Sequence, residues 1–183
     1  MKKLKLFIGI DLTPSVRSKC SDVADRLRAS GIDARFEPPE KLHITLAFLG
    51  WVEPESVEPV RDLLSRTAQT TAPFDLKLDK LGAFPHERKP RVIWLGSSDQ
   101  GAAFRNLSQT LRGAYEELGF HFEKENIAHV TLARVKGGDA HLPMLDVAPM
   151  KLAVRELALF ESIPGDRTTR YEVRARYALK TSP

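Results

Sequence analysis

The sequence has little cysteine and no long apolar run. Cys20 is the only cysteine in 183 residues, which excludes an intramolecular disulfide and a cysteine-rich metal site. No apolar stretch approaches the roughly 20 residues that a membrane-spanning helix needs. The apolar segment 4–12 contains Lys5 and Asp11 and lacks a small-residue cleavage site, which favours a core strand over a signal peptide. We therefore expect a cytoplasmic protein with no membrane partner, in which Cys20 is a buried packing residue.

Several catalytic signatures are also missing. The chain contains no His-Glu-x-x-His pattern, no Gly-x-x-x-x-Gly-Lys-Ser/Thr loop and no Gly-x-Ser-x-Gly elbow. These absences argue against a zinc protease, a P-loop nucleotide triphosphatase and a serine hydrolase of the α/β class. We expect no metal and no other cofactor.

The composition is that of one ordinary globular domain, here taken as residues 1–183. Hydrophobic residues make up 42% of the chain and charged residues 28%. The formal net charge of +4 and the pI of about 9.3 give a mild positive bias. This bias is compatible with a phosphate-bearing partner, although many proteins without one are equally basic.

The chain does contain one short sequence motif that occurs twice. His43-Ile44-Thr45-Leu46 and His129-Val130-Thr131-Leu132 each have a histidine and a threonine two residues apart. In a strand, residues i and i+2 point to the same face. Each copy therefore predicts an imidazole beside a hydroxyl, with the aliphatic side chains on the opposite face.

The surroundings of the two motifs repeat as well. His129 follows His43 by 86 residues, and the same offset takes the strand around Ile8 to the strand around Trp94. Adding the same offset of 86 to Gly31, where the first helix is predicted to end, gives a position two residues before Gly119, the predicted end of the equivalent helix. The order of strand, helix, glycine and motif strand thus indicates an internal duplication. Two such lobes, related by a pseudo-two-fold axis, would bring the motif strands face to face across a cleft.

Apolar spacing and turn residues divide the chain into elements. Helices are predicted from Pro14 to Gly31, from Pro54 onward and over 104–118. Strands or extended segments are predicted at 5–11, 34–36, 42–49, 74–79, 91–96, 120–122, 127–135, 152–160 and 171–179, with a basic loop at 83–90.

Two histidines on opposite walls of a cleft suit displacement at phosphorus. One imidazole can activate the nucleophile and the other can protonate the leaving oxygen, because both titrate near neutral pH. A threonine hydroxyl can donate to a non-bridging phosphate oxygen. Arg134, five residues after His129, has odd spacing, so a bulge or the strand end would be needed to turn it towards the phosphate. If it does turn, its guanidinium would hold the phosphate charge.

The duplicated motifs resemble those of the two-histidine (2H) phosphoesterases, and in particular the RNA 2′,3′-cyclic phosphodiesterases, also called 2′-5′ RNA ligase-like proteins. The similar stretches are residues 6–12, 42–50, 90–96 and 129–134. The resemblance implies an α+β fold with two pseudo-symmetric lobes. Each lobe would have an antiparallel sheet with helices on its outer side, and the cleft between the lobes would carry both motifs.

The resemblance also implies a reaction and its residues. A terminal 2′,3′-cyclic phosphate of RNA would be hydrolysed to a 2′-phosphomonoester without a metal. Separately from the resemblance, we expect a monomer, because a cleft made within one chain does not require a partner. His43 would be the proton donor and His129 the proton acceptor. Thr45, Thr131 and Arg134 would bind the phosphate. Phe48, at the position that Arg134 takes in the other half, would stack on a base, with core packing as an equal alternative.

Other interpretations stay open. The same histidine pair could act on 2′-5′ oligonucleotides or nucleotide-like cyclic phosphates, could serve 2′-5′ ligation, or could belong to an RNA-end binding module without turnover. His86, His121 and His141 are expected at the surface. Basic residues that could contact an RNA backbone, or simply be solvated, are Arg88, Lys89, Arg91, Arg167, Arg170, Arg174 and Arg176.

Overall fold

The fold was analysed in a computed structural model that describes residues 2–123, 126–137, 140–165 and 168–180. Arg167, one of the basic residues singled out above, lies outside the described residues. The α-helices are α1 (Pro14–Ala29), α2 (Val57–Thr70) and α3 (Ala102–Glu116). The strands are β1 (Leu4–Asp11), β2 (Ala34–Phe36), β3 (His43–Val52), β4 (Phe74–Leu78), β5 (Lys80–Phe84), β6 (Val92–Gly96), β7 (His129–Val135), β8 (Met150–Val154), β9 (Glu156–Ile163) and β10 (Arg170–Ala178).

One antiparallel sheet runs through the molecule in the order β10-β9-β1-β3-β7-β6-β5, with β2 added on β7. Its centre is narrow, since β3 and β7 are paired only at Ile44 and Val130. The sheet therefore consists of two halves that meet at the motif strands. In each half a buried strand pairs with the motif strand, β1 with β3 and β6 with β7. These features confirm the predicted α+β class with two related lobes.

Each lobe contains strands from distant parts of the chain. The short strand β2 leaves the first half of the sequence and pairs with β7. The C-terminal hairpin of β9 and β10 returns to the first lobe, where β9 pairs with β1. Strands β4 and β8 form a separate two-stranded sheet.

The core lies on the face of the sheet opposite the motif side chains. Ile44 and Val130, which separate the histidine and threonine of each motif, are fully buried there. The helices cover this face, α1 against β7 and α3 against β3. Cys20 on α1 is also fully buried, as predicted, and burial raises the pKa of its thiol to about 12.

Two parts of the predicted element map are wrong. The single strand expected at 152–160 is two strands that turn at Arg155, where the Arg155 side chain donates to the Phe74 carbonyl at 3.0 Å. The apolar residues continue across the turn, so their pattern does not reveal it. The loop expected at 83–90 begins only after β5, whose last residue is Phe84.

No α-helix in the described part of the chain is long and apolar enough to cross a membrane.

Candidate functional site

A bulge in β3 decides which side chains enter the cleft. Opposite β1, Gly9 pairs with Thr45 and Ile8 pairs with Ala47, so Leu46 is an extra residue in β3. Leu46 and Ala47 are consecutive, yet both are buried. A bulge of this kind resets the alternation of side chains along a strand. Phe48 is thereby turned to the face that carries the motif side chains.

The second motif strand has the same bulge at the same place. Opposite β6, Trp94 pairs with Thr131 and Ile93 pairs with Ala133, which makes Leu132 the extra residue of β7. Leu132 and Ala133 are both fully buried. Arg134 is therefore turned to the motif face despite its odd spacing from His129. The odd spacing requires a bulge or a strand end at this place, and β7 has a bulge.

The structure brings the six residues singled out in the sequence into one cleft of about 240 Å³. Strands β3 and β7 are antiparallel and pair at Ile44 and Val130. On one side of this pair His43 lies next to Thr131, and on the other side Thr45 lies next to His129. The cleft is lined by His43, Thr45, Phe48, His129, Thr131 and Arg134, together with Phe7, Glu37, Lys41, Ser162 and Tyr171.

Both imidazoles are oriented by the same backbone contact. Nδ1 of His43 lies 2.6 Å from the Lys41 carbonyl, and Nδ1 of His129 lies 2.7 Å from the Ile127 carbonyl. A carbonyl only accepts hydrogen bonds, so Nδ1 carries the proton and donates in both rings. The neutral tautomer then has its lone pair on Nε2, which leaves that nitrogen to exchange a proton with a ligand.

The segments that supply these carbonyls are themselves held in place. Arg17 of α1 donates to the carbonyls of Pro39 and Leu42, which flank the turn before His43. In the other lobe, the backbone N–H before His129, that of Ala128, donates to the Gln100 side chain at 3.2 Å. Polar contacts thus hold in place the chain segments that precede His43 and His129.

Aromatic rings surround both histidines. The His43 ring centroid lies 4.8 Å from that of Phe7 and 5.1 Å from that of Tyr171, which it meets edge to face. The His129 ring meets Phe84 edge to face at 5.2 Å. These rings exclude water, and this burial is the main cause that lowers the pKa of each imidazole below its usual value.

Charged neighbours act differently on the two histidines. The carboxylates of Glu37 and Asp11 act to raise the pKa of His43, although burial outweighs them. The Arg134 guanidinium acts with burial to lower the pKa of His129. The two carboxylates therefore act in favour of the imidazolium form at His43, where the charge of His129 opposes them, and Arg134 acts against that form at His129.

Arg134 forms an ion pair with the residue that directly follows β2. Its Nε lies 3.0 Å from a carboxylate oxygen of Glu37, whose side chain is only 14% exposed. The Glu37 backbone N–H donates to the carbonyl of Leu132, in the β7 bulge, at 2.8 Å. The pair occupies one of the five N–H donors of the guanidinium and fixes its direction. Glu37 is thus a cleft residue that the motifs did not reveal.

Phe48 is 52% exposed, so the core-packing alternative is wrong for this side chain. Its ring lies 6.5 Å from that of Phe7, roughly parallel to it. Phe7 forms the floor beneath it and is itself buried. The Phe48 ring therefore forms an open apolar wall of the cleft.

The remaining predicted residues lie away from the cleft. His86, His121 and His141 are exposed, as predicted. Three of the basic residues proposed for RNA contact are already paired with carboxylates of the protein: Arg170 with Glu172, Arg174 with Glu161, and Arg176 with Asp11 and Glu156. Arg88, Lys89 and Arg91 are exposed. Among the described residues, no cluster of three or more His, Cys, Asp or Glu side chains forms a metal site.

Known proteins are similar to this chain in both sequence and architecture. A curated relative from Archaeoglobus fulgidus, named RNA 2′,3′-cyclic phosphodiesterase, is 37% identical over 134 residues, which cover 73% of each chain. The crystal structure of Escherichia coli LigT in its apo form is 28% identical and superposes with a TM-score of 0.82 over 99% of this chain and 100% of that one. The crystal structure of LigT complexed with 3′-AMP is also 28% identical and superposes with a TM-score of 0.81, over 98% of this chain and 99% of that one.

A family model is matched twice in succession. The model, described as LigT-like phosphoesterase, covers residues 10–94 and again residues 95–171. Each match contains one of the two motifs, as expected from the repeat in the sequence. These findings confirm the resemblance stated above: the chain belongs to the LigT-like phosphoesterase family.

Proposed function

We propose that the protein is an RNA 2′,3′-cyclic phosphodiesterase, and that it opens a terminal cyclic phosphate to a 2′-phosphomonoester without a metal. The observation that carries the proposal is the joint placement of two Nδ1-anchored imidazoles, two threonines and Arg134 in one cleft. The name of the Archaeoglobus fulgidus relative and the 3′-AMP complex of LigT support this choice of substrate. We also propose that the protein acts as a monomer, because one chain supplies both histidines.

The charges around the histidines support the division of their roles. Burial and the Arg134 charge both lower the pKa of His129, which favours its neutral form, and its Nε2 accepts a proton from the attacking water. The water oxygen forms a bond to phosphorus as the bond between phosphorus and the 3′-oxygen breaks. The Glu37 and Asp11 carboxylates act to raise the pKa of His43, which gives its proton to that 3′-oxygen. The phosphate stays on the 2′-oxygen.

The other cleft residues hold the phosphate during this displacement. The hydroxyls of Thr45 and Thr131 donate to non-bridging oxygens. The remaining donors of Arg134 stabilise the charge that develops on the phosphoryl group, and a water-excluding site strengthens that interaction. The bound anion also favours protonation of His43, which counters the effect of burial on its pKa.

Product analysis tests the reaction directly. A short RNA that ends in a 2′,3′-cyclic phosphate should be opened in the presence of EDTA, with the phosphate left on the 2′-position. We expect equal rates with and without the chelator. A 3′-phosphate product, or activity restored only by an added divalent cation, would contradict the proposal. Tight binding of the RNA without turnover would instead favour the RNA-end binding module.

The pH dependence tests the electrostatic assignment. We expect a bell-shaped profile of kcat/KM with its optimum below that of two ordinary histidines, because burial lowers both pKa values. The optimum is the mean of the two values. Glu37→Gln removes a charge that raises the pKa of His43, so the optimum should move to lower pH. Arg134→Gln removes a charge that lowers the pKa of His129, so the optimum should move to higher pH.

Glu116→Gln is the matched control for these two variants, since Glu116 is exposed on α3, away from the cleft. Its profile should superpose on that of the unmodified protein. Shifts in the same direction for Glu37→Gln and Arg134→Gln would refute the assignment.

A further inference from the structure

Beyond the cleft, β3 continues with a second bulge. Leu6 of β1 pairs with Gly50 and Phe7 pairs with Phe48, so Leu49 is an extra residue in β3. Gly50 has a φ of 72°, a left-handed conformation that glycine adopts without a steric penalty. The bulge resets the alternation of side chains once more. Trp51 is thereby turned to the same face as Phe48.

The result is a row of side chains that leads out of the cleft. Trp51 is 54% exposed, as fully as Phe48, although large aromatic side chains usually bury most of their surface. Lys5 of β1, the cross-strand partner of Trp51, lies between the two rings. Its Nζ is 5.7 Å from the Phe48 centroid and 5.9 Å from the Trp51 centroid. We call Phe48, Lys5 and Trp51 the outer platform.

The outer platform has the chemistry of a single-stranded nucleic-acid track. Exposed aromatic rings stack on unpaired bases, and cations between them attract the backbone. No carboxylate pairs with Lys5 in the described part of the chain, so its charge is available to a phosphate. A base on Phe48 and a base on Trp51 would place the phosphodiester between the two nucleotides near Lys5.

We propose that Trp51 stacks on the base of the penultimate nucleotide of the RNA, with Lys5 beside the phosphate that links it to the terminal nucleotide. This inference rests on the proposed function, because it takes the terminal cyclic phosphate to lie between the histidines. A stacking site for the penultimate base means that the protein prefers substrates of two or more nucleotides. The occupant is an unpaired base, since the rings lie on an open sheet face that continues from the cleft.

A neighbouring groove offers a different exit for the strand. It begins at Thr45 and Phe48 and runs past Arg112, His121 and Phe122 to Asn126. The Arg112 guanidinium already lies over the Phe122 ring, 4.9 Å from its centroid, and Asn126 donates to the Leu46 carbonyl at 3.0 Å. The principal side chains of that groove are thus engaged with each other or with the backbone. In the outer platform, by contrast, the Phe48 and Trp51 side chains are both more than half exposed.

The test compares three substrates that all end in a 2′,3′-cyclic phosphate: a mononucleotide, a dinucleotide, and the same dinucleotide without its penultimate base. We expect kcat/KM for the dinucleotide to exceed that for the abasic form by about 5- to 150-fold, the range for one stacked base. In Trp51→Ala this ratio should fall to near one, and in Trp51→Phe most of it should remain. Leu118→Ala removes an equally exposed side chain on another surface and should keep the full ratio.

A binding measurement gives a readout that does not need turnover. Trp51 is exposed and Trp94 is buried, so quenching of tryptophan fluorescence by the dinucleotide product should be lost in Trp51→Phe. A ratio of one in the unmodified protein, or a ratio lost in Arg112→Ala and kept in Trp51→Ala, would overturn the platform. Failure to open any of the three cyclic-phosphate substrates would overturn the proposed function instead, and quenching would still decide the platform.

Discussion

Replacing either His43 or His129 with alanine is expected to lower kcat by about 10²- to 10⁴-fold, the usual contribution of one general acid or base. In the proposed mechanism each imidazole serves a different proton transfer, so neither should compensate for loss of the other. KM should change much less, because the threonines and Arg134 still contact the phosphate. Initial rates on the cyclic-phosphate RNA measure the effect. Full activity in either variant would refute the assigned roles.

Asparagine tests the proton-transfer role of each histidine more specifically than alanine does. Its side-chain N–H₂ can replace the Nδ1 donor to the Lys41 or Ile127 carbonyl but carries no titratable nitrogen. His43→Asn and His129→Asn should therefore keep the fold and still lose activity. His86→Ala, at an exposed position outside the cleft, is the matched control and should retain full activity.

A modified substrate separates the acid from the base. When sulphur replaces the 3′-oxygen, the leaving group is a thiolate that needs no protonation. His43→Asn should then recover most of the lost rate, whereas His129→Asn should not. Recovery in His129→Asn alone would show that the two roles are reversed.

Replacing Arg134 with methionine should lower kcat/KM by about 10²- to 10³-fold, the cost of losing one electrostatic donor to a developing charge. The Arg134 side chain is 48% exposed, so its removal should not destabilise the core. Arg134→Lys should recover only part of the loss, because an ammonium cannot bond to Glu37 and to the phosphate through a planar fork. Steady-state kinetics on the same RNA measure both variants.

Arg66→Met is the matched control for the charge, since Arg66 is exposed on α2 and away from the cleft. It should leave kcat/KM unchanged. If Arg134→Met behaved like Arg66→Met, the phosphate would be held by the threonines and histidines alone.

The motif strands could be predicted from the sequence because their determinants are local. Alternation in His43-Ile44-Thr45 fixes which residues share a face, and the equivalent spacing around His129 predicts the same arrangement. Even the need for a bulge before Arg134 follows from counting residues. The two-lobe arrangement follows from the repeat, whereas the origin of both halves in one duplicated unit remains a proposal.

The rest of the cleft depends on contacts between distant segments. Glu37 reaches Arg134 only because β2 crosses to the other lobe, and Tyr171 reaches His43 only because β10 returns to the first. Neither residue belongs to a local pattern, so no spacing rule predicts it. The turn at Arg155 was missed for a similar reason, since two strands that pair with different partners share one apolar run.

The return of the last hairpin has a consequence for how the protein is made. Strand β1 is synthesised well before its partner β9, which lies about 150 residues later, and contacts so distant in sequence form slowly. Phe160 and Tyr171, which pack against His43, arrive with this hairpin. A nascent chain therefore carries both histidine motifs before it can build the wall around His43, and this side of the cleft is completed only after the β9–β10 hairpin has been synthesised.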